Sequence, residues 1–78
     1  MKIQFNYPRG YLSEMTQARE EGNFDQWVNS KFGDRIKLLI SDDFTIDIQE
    51  QYFVVDFTYE DDGFAFISLI GGREVAAS

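Results

Sequence analysis

Between Phe44 and Phe57 apolar and polar residues alternate on both sides of one short interruption, which leaves little freedom in how the segment can pair. Phe44, Ile46 and Ile48 hold alternate positions before Glu50-Gln51, and Phe53, Val55 and Phe57 hold alternate positions after it. Alternation of this kind marks a strand with one buried face. With Glu50-Gln51 as a two-residue loop, Ile48 faces Phe53, Ile46 faces Val55 and Phe44 faces Phe57, so all six share one side. The partners on the other side are Gln49 with Tyr52, Asp47 with Val54 and Thr45 with Asp56. A slip of one residue would turn a whole apolar row to solvent, so the register is specified by the pattern itself.

The same reasoning extends the segment in both directions. From Arg35 to Ser41, Ile36, Leu38 and Ile40 alternate. A three-residue loop, Ser41-Asp42-Asp43, keeps them in phase by pairing Ile40 with Phe44, Leu38 with Ile46 and Ile36 with Ile48. Downstream, Asp62-Gly63 is a hairpin signal, because both central positions of a type I′ turn need positive φ. That turn pairs Tyr59 with Phe66 and Val55 with Ile70, whereas a three-residue loop brings Ala65, Ile67 and Leu69 inward; the pattern leaves both registers open. Either way Phe64 to Ile70 is apolar on both faces, as expected of a strand covered on both sides or lying in an interface. Residues 35–70 therefore read as a four-stranded antiparallel β-meander. Gly71-Gly72 breaks the last strand, and 73–78 reads as a short frayed C-terminal tail.

Upstream, Met1 to Tyr7 sets Ile3, Phe5 and Tyr7 against Lys2, Gln4 and Asn6, which predicts another strand, closed by a Pro8-Arg9-Gly10 turn. Tyr11 to Glu21 predicts a helix with a narrow stripe of Tyr11, Met15 and Ala18, Ser13 as a candidate N-cap and Gly22 just past its end. A second helix starts at Asn23, with Gln26 completing a capping box, and shows Phe24, Trp27, Val28 and Phe32 on one face before Gly33 ends it. Trp27 sits in the middle of that stripe, so it reads as core rather than as a stacking platform. The expected fold is α+β: an N-terminal strand, two short helices, then the four-stranded meander packed on the helices, in a single domain over 1–72.

Composition narrows the chemistry. A chain of 78 residues has a thin margin of stability, which eight Phe, four Tyr and one Trp can offset because each ring buries a large area. The apolar fraction of 44% argues against disorder despite a net charge of −7. With no Cys and no His, thiolate chemistry, the commonest general base and the commonest transition-metal ligand are all missing. The serines have no histidine to activate them, no glycine-rich phosphate loop precedes a helix, and the acids do not follow an EF-hand pattern. No apolar run approaches the roughly 20 residues of a membrane span, and the N-terminus lacks a signal-peptide core. The expectation is a soluble, cytoplasmic, non-enzymatic protein with no cofactor and no metal.

Charge is the remaining signal. Residues 1–37 carry six basic and five acidic side chains. Residues 38–72 carry no Lys or Arg and eight acids: Asp42, Asp43, Asp47, Glu50, Asp56, Glu60, Asp61 and Asp62. Alternate turns of a meander share one end, so Asp42-Asp43 and Glu60-Asp61-Asp62 are expected together, with Asp47 and Asp56 leading away along the polar face. Asp is also common in turns for local hydrogen bonding, and edge strands carry charge against aggregation, so part of this pattern is ordinary. Thirty-five residues without a cation go beyond it.

Such a field repels nucleic acid and attracts cationic surfaces. The expected function is that of a small acidic binding protein, an inhibitor whose Asp42, Asp43, Asp47, Asp56, Glu60, Asp61 and Asp62 contact a basic surface of a protein partner. A nuclease or an RNA-guided complex offers such a surface, and carboxylates standing in for phosphates is the strategy of phage-encoded DNA-mimic inhibitors, including anti-CRISPR proteins. Two alternatives fit the same features: an immunity protein or antitoxin that neutralises a basic toxin, and an assembly subunit that forms a homodimer through its two-faced last strand. No direct contact with nucleic acid or membrane is expected.

Overall fold

The structure, a computed structural model, describes residues 1–75. It is an α+β arrangement in which a four-stranded antiparallel sheet carries helices on one face. The strands are β1 (Lys2–Asn6), β2 (Phe44–Ile48), β3 (Tyr52–Phe57) and β4 (Arg73–Val75), in the spatial order β2-β3-β1-β4. The helices are α1 (Leu12–Glu20), α2 (Phe24–Val28), α3 (Asp34–Leu39) and α4 (Glu60–Leu69).

The β2–β3 hairpin has the register that the alternation dictates. Phe44 pairs with Phe57, Ile46 with Val55 and Ile48 with Phe53, while Gln49 N–H donates to the Tyr52 carbonyl at 2.9 Å to close the turn. The N-terminal segment forms β1, but not at the margin. It inserts between β3 and β4, with Ile3 opposite Val55 and Phe5 opposite Phe53. Ile3, Phe53 and Val55 are fully buried as a result, and Phe57 is nearly so.

Two segments expected as strands are helices. Residues 24–39 are helical throughout: α2 passes through a π-helical turn, Asn29–Gly33, directly into α3. Gly33 thus does not end the second helix. Asn29, the first residue of this turn, donates through Nδ2 to the Asp25 carbonyl in α2 at 3.0 Å. Val28, Phe32 and Ile36, spaced four apart, form one buried stripe, and Leu38 is 84% exposed. The pairing of Ile36, Leu38 and Ile40 with β2 is therefore absent, and β2 is an edge strand.

The Asp62-Gly63 hairpin is also absent. Tyr59 is extended, and Glu60, Asp61 and Asp62 form the first turn of α4, where carboxylates favour the positive end of the helix dipole. Phe64 to Ile70, apolar on both sides of a strand, divides cleanly on a helix. Phe66 is fully buried, Ile67 and Ile70 pack against the core, and Phe64 and Leu69 face outward. The two-faced last strand does not exist.

The helix ends explain the remaining differences. Gly22, with φ of 74°, closes α1: its N–H donates to the Arg19 carbonyl while Asn23 N–H donates to the Ala18 carbonyl, a Schellman motif. Ser13 lies inside α1 rather than at its cap, and Asn23 precedes α2 without a side-chain capping bond, so the capping box with Gln26 is not formed. Gly71 and Gly72, with φ of 121° and 93°, turn the chain back along β1. There Arg73–Val75, expected as the start of a frayed tail, form β4; the rest of that tail, 76–78, lies outside the described residues.

The core is aromatic. Phe53, Phe57 and Phe66 are almost completely buried, with Phe66 at 5.7 Å from Phe57 and 6.1 Å from Phe5 by ring centroid. Trp27 belongs to the same layer, stacked on Phe24 and edge-on to Phe32. Its indole N–H is buried without a hydrogen-bond partner. The other sheet face carries Lys2, Gln4, Asn6, Thr45, Asp47, Tyr52, Val54 and Asp56, none of them buried.

Candidate functional site

One end of the sheet gathers Asp42, Asp43, Asp56, Glu60, Asp61 and Asp62, six of the eight acids of residues 38–72. β2 starts and β3 ends at the Phe44–Phe57 pair, and Thr58 N–H donates to the Asp43 carbonyl at 3.1 Å. The chain entering through Asp42-Asp43 therefore lies beside the chain leaving toward Glu60. Met1 ties α4 to the same place. Its carbonyl accepts from Phe57 N–H at 2.8 Å, and its side chain covers Gly63, where an added Cβ would collide with the Met1 sulfur. Asp42-Asp43 and Glu60-Asp61-Asp62 thus share one end, joined by a strand-to-helix connection rather than by two hairpin turns.

Asp42, Asp43 and Asp56 line an open hollow of about 380 Å³ with Phe44, Thr45 and Thr58. Asp42 and Asp43 are exposed, and Asp43 N–H is held by Ser41 Oγ at 2.9 Å. Asp56 is opposite both Thr45 on β2 and Lys2 on β1, and its carboxylate is 3.6 Å from the Met1 amine. Placing β1 beside β3 thereby brings basic groups to Asp56 that lie far from it in sequence. Asp47, diagonal to Asp56 on the same face, is one strand pair further from the acidic end and accepts from Gln49 Nε2 at 2.9 Å. Glu60 and Asp61 are exposed on α4, and Asp62 is half-buried. Among the described residues the only other ion pair is Lys31–Glu14, at 3.0 Å, so six of the seven candidate carboxylates have no cationic partner.

The end where the β2–β3 turn lies is different in character. There Arg9 and Arg19 line an open cleft of about 750 Å³ with Tyr7, Tyr52, Glu50 and Gln51. Arg19 donates to the Glu50 carbonyl and lies over the Phe24 ring. Tyr7 donates to the Gln49 carbonyl at 3.0 Å, and burial pushes its phenol up to about 12. Arg9 and Arg19 thus lie at the end opposite Asp42 and Asp43, with Glu50 beside them.

Two exposed aromatics at the acidic end escape a strand-based reading. Tyr59 is 59% exposed and Phe64 55%. On a helix, Phe64 follows Glu60 by four residues and Asp61 by three, so all three share one face. The signal that finds this arrangement is helical spacing through 60–69.

Among the described residues no group of three or more acidic side chains is placed to hold a metal ion, and no helix is long and apolar enough to cross a membrane. A comparison with protein families, curated proteins and solved structures returns no match.

Proposed function

We propose that this protein is a non-enzymatic inhibitor that docks its acidic end on a basic, nucleic-acid-binding surface of a partner protein, as phage-encoded DNA-mimic and anti-CRISPR inhibitors do. The observation that carries the reading is the gathering of Asp42, Asp43, Glu60, Asp61 and Asp62 at one end, with no ion pair to any of them among the described residues. Unpaired surface carboxylates retain their hydration and their field until a cation arrives, so they steer a basic partner and discriminate against an acidic one. Asp56 and Asp47 contribute from the open sheet face, Asp56 more weakly because the Met1 amine already lies beside it.

The test is capture from nuclease-treated extract of the source cells, using the wild-type chain and the charge-reversed set Asp42→Lys, Asp43→Lys and Asp61→Lys. A basic protein retained by the wild type and lost by the set, with thermal unfolding shifted only slightly, supports the reading. Equal retention by both would leave the acidic end without a role in binding.

A further inference from the structure

We infer that the outer face of α4 is the anchor of the acidic end, and that it takes a basic protein surface whose Lys or Arg side chains border exposed aliphatic or aromatic ones. This inference rests on the proposed function and names the chemistry of its partner. The inner half of α4 is defined by Gly63, Phe66, Ile67 and Ile70, which are buried or packed on the core. Helical spacing then places Asp61, Phe64, Ala65, Ser68 and Leu69 on the outer half, with Glu60 exposed at its edge in the first turn. Phe64 and Leu69 are each more than half exposed there, and none of the described residues covers them.

An exposed Phe beside two carboxylates lies outside the core cluster, and it is a side chain of the type enriched where partner proteins bury surface. The surrounding charge selects the partner. Nucleic acid and anionic membranes are repelled by Glu60, Asp61 and the neighbouring Asp42-Asp43, whereas a purely cationic surface leaves the Phe64 ring in water. A surface that is both basic and apolar satisfies both halves of the face. A second copy presenting the same face does not, because Glu60, Asp61 and Asp42-Asp43 would then meet their own counterparts.

The experiment uses the full chain and two synthetic helical peptides of equal length and equal positive charge, one alternating Lys with Leu in an amphipathic pattern and one with Ser in place of Leu. The Lys/Leu peptide is expected to bind at least about tenfold tighter, and backbone amide shifts on its addition should centre on 60–69. Phe64→Ser should remove most of that advantage while leaving the Lys/Ser affinity unchanged. Equal affinity for the two peptides, shifts centred on the open sheet face, or a wild-type dimer that Phe64→Ser dissociates would each overturn the inference. If both peptides bind equally but Asp61→Lys still weakens them, the acidic docking stands and only the anchor fails. If neither binds, both fail.

Discussion

Phe64 and Phe66 are two residues apart, and their fates separate a helical C-terminal segment from a strand. On a strand they point to the same side and would be buried or exposed together. On α4 they lie on opposite sides: Phe66 is fully buried against Phe5, Phe53 and Phe57, while Phe64 is 55% exposed. A buried phenylalanine removes roughly 200 Å² from water, and its truncation to Ala in a core costs about 3–5 kcal/mol once the cavity is included. Phe66→Ala should fall in that range. Phe64→Ala deletes a ring that is half in solvent already and should cost about 1 kcal/mol or less. A domain of this length has only about 4–12 kcal/mol in total, so Phe66→Ala consumes a large part of its stability. Urea unfolding followed by far-ultraviolet circular dichroism reads both values, and a fluorescence probe on Trp27 checks that the transition is a single one. Equal losses for the two variants would refute the helical assignment of 60–69.

The same logic applies to α3: Ile36→Ala should cost about 2–5 kcal/mol because the side chain is fully buried, whereas Leu38→Ser should stay within about 0.5 kcal/mol of wild type. Gly72→Ala should destabilise the sheet margin, because φ is 93° and an added Cβ would sit 2.7 Å from the Gln4 carbonyl oxygen, in the backbone of β1. Hydrogen exchange should then accelerate at the β1 amides facing β4 while those facing β3 remain protected. The raised Tyr7 phenol, caused first by burial, means that the unfolded chain loses this proton near 10 and the folded chain near 12. Stability should therefore fall between these two values as the pH rises, and Tyr7→Phe should flatten that part of the profile in a series of urea titrations.

What could be read from residues alone followed from how local each pairing is. The β2–β3 register needs only alternation and a two-residue loop, and both are explicit in the chain. β1 is readable as a strand but not as an inner one, because its partners are about fifty residues away on β3 and about seventy on β4, and nothing in Lys2–Asn6 encodes them. α3 is ambiguous in sequence: Ile36, Leu38 and Ile40 alternate like a strand, while Val28, Phe32 and Ile36 continue a helical stripe through Gly33, and tertiary packing selects the stripe. α4 shows the converse. Asp-Gly suggests a hairpin, but Glu60, Asp61 and Asp62 also suit a helix N-terminus, and the helix buries Phe66, Ile67 and Ile70 on a single side. The acidic residues themselves were legible because charge needs no fold to be counted. Alternate turns of a meander would bring them together; in the structure a strand-to-helix connection and the contact between Thr58 and Asp43 do so. The exposed Phe64 was hidden by the strand assignment.

The proposed docking of the acidic end is an interaction between charges, so the salt dependence of affinity for the captured partner measures it. Charges at a surface are screened within about 10 Å at 0.1 M salt, so an interface built on Asp42, Asp43, Glu60 and Asp61 should weaken steeply as salt rises. The slope of log Kd against log salt should fall markedly in the Asp42→Lys, Asp43→Lys and Asp61→Lys set. A slope that is shallow in the wild type, or identical in the two proteins, would mean that the acidic end does not drive binding.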